Sequence, residues 1–92
     1  MYTLFIAGSP VALFMLQLMD VSKDEAVLAK QWFAFPEETP YQLQEIIDSE
    51  AFGGKIDKIL VSGPKKYMEH YVAQYKQTVK GTGIKVEQKE VI

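Results

Sequence analysis

Residues 55–87 constrain the fold more than any other stretch of this chain. Lys58-Ile59-Leu60-Val61 reads as an apolar strand, Ser62-Gly63-Pro64-Lys65-Lys66 as a turn, the next segment as an amphipathic helix, and the chain from Ile84 as a second strand. Together these form one βαβ unit. The unbroken run from Ile59 to Val61 suits a strand covered on both faces, and such strands usually belong to a parallel pair joined by a crossover helix. The rest of the chain must then supply this strand with neighbours.

The helix is marked by Tyr67, Met68, Tyr71, Val72, Tyr75 and Val79, which form one apolar stripe, while Glu69, His70, Gln74, Lys76, Gln77 and Lys80 fall elsewhere. Ser62 is expected as its cap and Pro64 as its first residue, with Gly81 and Gly83 marking the end. Burying six large apolar side chains contributes about 10 kcal/mol gross. That is enough to seat the helix firmly on a sheet.

The 92 residues make a single domain, residues 1–92, with one core. A core of that size leaves much of the surface wet, so self-association would add stability. The sequence has no Cys, which removes disulfides, thiolate metal sites and a thiol nucleophile, and which fits a reducing cytoplasm, the expected location. One histidine, His70, cannot make a zinc cluster, and it reads as a solvated helix residue. No cofactor is expected.

Charge is distributed unevenly. Residues 1–50 carry two Lys (Lys23, Lys30) against eight acids, a balance of −6, and residues 51–92 carry eight Lys against four acids, a balance of +4. All the basic residues are Lys, so the planar guanidinium fork that reads guanine edges and clamps phosphates is missing. Sequence-specific nucleic-acid binding is therefore not expected.

From the start of the chain, Tyr2 to Ala7 reads as a buried strand ended by Gly8-Ser9-Pro10. Val11 to Met19 admits two readings, a helix capped by Ser9 or a strand entered through a Gly-Ser-Pro turn. Neither a signal peptide nor a membrane span is expected: no Lys or Arg precedes the apolar run, and Gly8-Ser9-Pro10 interrupts it well short of about 20 residues. Ser22 and Glu25 are spaced as a capping box, yet Ala26 to Phe35 is aromatic-rich and closes at Pro36, which favours a strand. A hairpin turning through the polar stretch from Asp20 to Asp24 is the preferred reading.

A second helix starts after Glu37-Glu38, with Thr39 expected as cap, Pro40 in the first turn and Gln42 as reciprocal partner; Leu43, Ile46, Ile47 and Ala51 form its buried stripe until Gly53-Gly54. Glu37 and Glu38 sit where a helix N-terminus favours acids. The expected architecture is α/β, a mixed five-stranded sheet with the element order β-β-β-α-β-α-β.

Leu4-Phe5-Ile6-Ala7-Gly8-Ser9 followed by Val11-Ala12-Leu13-Phe14, and Ile56 to Val61 followed by Ser62-Gly63-Pro64, make this order resemble the ribonuclease H-like fold, nearest its RuvC-like and actin-like branches. The resemblance covers nearly the whole chain and implies that the first and fourth strands are parallel neighbours. Nucleases of that superfamily hold two metal ions on carboxylates, one on the first strand and one near the end of the fourth. Here Tyr2 to Pro10 contains no acid and Asp57 begins the fourth strand, at its wrong end. The resemblance thus implies the fold without its nuclease chemistry, and the chain is expected not to be an enzyme.

Two candidate sites follow. If the first and fourth strands are neighbours, Gly8, Ser9, Ser62, Gly63, Lys65 and Lys66 gather beyond the strands' carboxyl ends, where open α/β sheets bind ligands, and could hold a phosphate or nucleotide. The competing reading makes them turn and cap residues, because no complete phosphate-binding loop is present. The apolar surplus of Phe14, Met15, Leu16, Leu18 and Met19 with Trp32, Phe33 and Phe35 exceeds what a half-covered hairpin needs; it fits a second layer of core or a protein interface, for which Phe14, Leu16, Leu18, Trp32, Phe33 and Phe35 are the candidates.

Three functions remain open. The preferred one is a non-catalytic, self-associating protein-interaction domain, a small adaptor or inhibitor of the kind found among phage accessory proteins. The others are a binder of a small anionic ligand, and a metal-dependent enzyme using Asp20, Asp24 or Asp57.

Overall fold

A computed structural model describes residues 1–22 and 25–90. Five strands, β1 (Tyr2–Ala7), β2 (Phe14–Ser22), β3 (Glu25–Ala34), β4 (Ile56–Gly63) and β5 (Lys85–Glu90), form one sheet in the order β3-β2-β1-β4-β5. Two helices, α1 (Thr39–Asp48) and α2 (Lys65–Thr78), complete the fold. The pairs β3-β2 and β2-β1 are antiparallel, and β1-β4 and β4-β5 are parallel. The mixed five-stranded α/β architecture read from the sequence is present, and so is the hairpin of β2 and β3, although Asp20, Val21 and Ser22 are paired strand residues rather than turn; β2 begins at Phe14, and Val11 to Leu13 connect it to β1. Lys23 and Asp24, at the hairpin tip, lie outside the described residues.

Both helices sit on one face of the sheet. The register places Leu4 opposite Leu18 and Ile59, and Ile6 opposite Leu16 and Val61. These residues, with Phe14 and Ala34, are buried against Leu43 and Ile46 of α1 and Met68, Val72 and Tyr75 of α2. Side chains in a strand alternate between faces, so the odd-numbered partners on β1 and β2 point the other way, where no helix lies among the described residues. The expectation that β4 is covered on both faces is therefore corrected. Ile59 and Val61 are buried, whereas Leu60 between them is half-buried and Asp57 is exposed. An apolar run lacking alternation hid an ordinary one-sided strand.

Three capping expectations are also corrected. β4 runs on through Gly63, paired with Glu90 of β5, so Ser62 is a strand residue; Pro64 stands at the cap position and Lys65 opens α2, with no side-chain cap. Thr39 does not cap α1. A 3-10 turn over Pro36–Glu38 leads straight into the helix, leaving Glu38 at the cap and Thr39 in helical conformation, fully buried. The Thr39 hydroxyl donates to the Pro36 carbonyl oxygen at 2.7 Å and lies 2.6 Å from the Tyr75 hydroxyl. Its one proton being spent on the carbonyl, the Tyr75 hydroxyl is the donor in the second bond. This ties the start of α1 to the middle of α2. Burial pushes the Tyr75 phenol up to about 12. Finally, α1 ends at Asp48, so Ala51 is exposed in the following turn and adds nothing to the buried stripe.

Candidate functional site

The face without helices is the most distinctive surface of the molecule. The register arranges it in three rows running across the strands: Phe33, Met15, Ala7, Ser62 and Lys89; then Gln31, Gln17, Phe5, Leu60 and Glu87; then Leu28, Met19, Thr3, Lys58 and Lys85. Apolar side chains dominate from β3 to β1, and charged ones dominate on β5. Within the apolar part Phe33 is 59% exposed and Leu28 47%, while Phe5, Met15, Met19 and Leu60 are half-buried. Gln17 donates to Gln31 at 3.0 Å, a polar crosslink between β2 and β3 in the middle of this surface. A continuous patch of this kind is uncommon on proteins that stay monomeric.

The six residues expected at an interface divide three ways. Phe14, Leu16 and Leu18 are fully buried beneath the helices and are core, which corrects that expectation; their even positions on β2 put them on the covered face. Trp32 is half-buried on the covered face, edge-on to Phe52, with the Lys30 ammonium 5.4 Å from its ring centre. There it lines a cleft of about 160 Å³ with Gln42, Glu45, Ile46 and Ser49. Phe33 and Phe35 are exposed, at 59% and 58%. Met15 and Met19 belong to the apolar surplus of the sequence, whereas Phe5 and Leu60 do not; the alternation that would place all four on this face is masked, because β1, β2 and β4 are apolar at both odd and even positions.

The glycine turns do meet. The Gly8 amide donates to the Ser62 carbonyl oxygen at 2.9 Å, and Gly8, Ser62, Gly63 and Pro64 line an open cavity of about 480 Å³ beyond the carboxyl ends of β1 and β4. Gly8 is needed for space, since a Cβ there would collide with the Met68 sulfur and meet the Phe14 ring. Gly63 has φ +136°, a conformation that a side chain would strain, and it abuts the Gly8 carbonyl oxygen. Ser9 accepts from the Val11 amide at 3.3 Å as part of the turn, and Lys65 and Lys66 are exposed in the first turn of α2. The Gly8 amide is thus already committed to the strand pair and does not face the cavity as an anion donor.

Asp20 and Asp57 lie at the opposite end of the sheet, flanking the start of β1: Tyr2 pairs with Asp20 on one side and Ile56 on the other. Asp20 is 3.9 Å from the N-terminal ammonium. Asp24 lies outside the described residues. Among the described residues no three His, Asp or Glu side chains gather as a metal site, and no helix is long and apolar enough to cross a membrane. His70 is exposed on α2, its ring edge-on to Tyr71. The Tyr71 phenol is raised, chiefly by its hydrogen bond with Tyr67.

In comparisons with known proteins, the chain matches no family model, no curated protein and no solved structure.

Proposed function

We propose that this chain is a non-catalytic, self-associating protein-interaction domain, and that its contact surface is the bare apolar part of the sheet together with the adjoining β3 edge. The observation that carries this reading is the one-sidedness of the molecule: Phe5, Met15, Met19, Leu28, Phe33 and Leu60 form an apolar patch on a face that no helix covers. Burying it against protein gains about 25 cal/mol for each Å² removed from water. We further infer a ribonuclease H-like topology, on the strand order β3-β2-β1-β4-β5 with β1 and β4 parallel. In that reading the chain keeps the scaffold without acids at the carboxyl ends of β1 and β4.

Sedimentation from low to high micromolar concentration tests the proposal. The wild type should associate, and Leu28→Glu, on β3 at the margin of the patch, should weaken association while leaving the circular dichroism unchanged. A chain that sediments as a monomer throughout would overturn it.

A second reading, small-anion binding, is favoured by the cavity at the meeting of the two glycine turns. Nucleotides and inorganic phosphate should then raise the melting temperature, and Lys65→Ala and Lys66→Ala should reduce that rise. Absence of any stabilisation discards it.

A further inference from the structure

Beyond the existence of self-association, on which this step rests, the structure points to its geometry. We propose that two copies join through antiparallel pairing of β3 with β3, extending the sheet of each copy into one continuous ten-stranded sheet.

The two edges of the sheet differ in how they are defended. β5 presents Lys85, Glu87 and Lys89 along its bare side, charges of the kind that keep an edge from pairing with another chain. β3 is an edge of ten residues with no proline, and every residue from Glu25 to Gln31 is exposed. Its inner side pairs with β2, and no strand lies along its outer side among the described residues. Val27 is 59% exposed and Leu28 47%, at the centre of the run Ala26-Val27-Leu28-Ala29. A long, apolar edge is a template for another strand.

Charge selects a second copy as the occupant. β3 carries two charged residues, Glu25 and Lys30, at either end of the apolar run. Five positions apart, they would ordinarily point to opposite faces. The register shift between Leu18 and Met19 makes Ala29 the extra residue of a bulge, so Glu25, opposite Ser22, and Lys30, opposite Leu18, project from the same face. Antiparallel pairing of identical strands is governed by a two-fold axis, so each surface serves both copies. Centred on Val27 and Leu28, it brings Glu25 of each copy beside, or one diagonal step from, Lys30 of the other. Two opposite-charge pairs then bracket an apolar centre. The apolar patches of the two copies come to lie side by side on the same face of the joined sheet.

The natural absence of Cys makes the test direct. Directly opposed residues near the axis have Cβ atoms about 4.5 to 5.5 Å apart, near the span a disulfide bridges. Val27→Cys or Leu28→Cys should therefore give a covalent dimer on mild oxidation, while Met15→Cys on the bare face and Lys85→Cys on β5 should not. Charge reversal supplies a second measurement: Glu25→Lys should weaken dimerisation about tenfold, and Glu25→Lys combined with Lys30→Glu should restore it. Covalent dimers through Met15→Cys, with none through either β3 position, would overturn edge pairing in favour of face-to-face stacking and leave self-association standing. Failure of the double reversal to restore association would also overturn the proposed register. A wild type that stays monomeric at high micromolar concentration defeats both readings together.

Discussion

Met15 and Leu16 are neighbours on β2 and belong to different environments. Leu16 is fully buried, opposite Ile6 in the register, in the core that α1 and α2 close; Met15 is half-buried between Ala7 and Phe33 on the face where no helix lies among the described residues. The same contrast separates Leu18 from Met19 and Val61 from Leu60. Both faces are apolar, but only one has been given a second layer. Hydrophobic side chains therefore stand in two settings here: on the covered face they hold the chain folded, and on the bare face they form the contact surface proposed above. The covered face also has a polar lock, the Tyr75 to Thr39 to Pro36 chain of hydrogen bonds, which the bare face matches only with the exposed Gln17 to Gln31 pair.

The largest test of this contrast is a pair of truncations. Leu16→Ala should lower unfolding free energy in urea by about 2 to 5 kcal/mol, because it leaves a cavity under the helices. Met15→Ala, measured at concentrations where the chain is dispersed, should cost less than about 1 kcal/mol. Equal costs would mean that the two faces are equally packed and that the contrast fails.

Next in size is a dependence on alkali. The folded Tyr75 phenol titrates near 12 and an unfolded tyrosine near 10, so the unfolded state loses its proton first as pH rises. Stability from this group is whole below about pH 10 and falls through the window up to 12, by about 2 to 3 kcal/mol in all. Urea midpoints between pH 9 and 12 measure it, and Tyr75→Phe should flatten that part of the profile.

Thr39→Val should cost about 1 to 3 kcal/mol, because it keeps the shape while leaving the buried Tyr75 hydroxyl without its acceptor. If Tyr75→Phe in the Thr39→Val background restores part of that loss, the penalty belongs to the orphaned hydroxyl. Smaller still, Gln17→Ala should change stability by less than about 1 kcal/mol, since both ends of its hydrogen bond with Gln31 can turn to water. A large loss there would show the bare face to be more rigidly built than its exposure implies.

Much of this fold is legible in the residues. The stripe from Tyr67 to Val79 identifies α2, the aromatic run closing at Pro36 identifies β3, and Gly8 and Gly63 mark strand ends that lie together, the Gly8 amide bonded to Ser62. The candidate surface was legible only in quantity. An excess of apolar residues on β1, β2 and β4 signals that something beyond one core must be covered, but strands apolar at both parities carry no sign of which parity faces the helices. Assigning Phe14, Leu16 and Leu18 to the outside was the consequence. Thr39 was misread for a related reason: a cap and a buried hydroxyl bridging two helices have the same local spelling, and Tyr75, its partner, is 36 positions away.

Local chemistry in the chain determined where strands and helices form, and the sequence offers them neither a thiol nor a guanidinium. The tertiary structure decided which side of the sheet the helices would occupy. That choice depends on the crossover between β4 and β5 and on where α1 returns, and packing both helices of the described residues on one side leaves the other side without one. The remaining apolar side follows from that arithmetic of layers, and no single residue announces it.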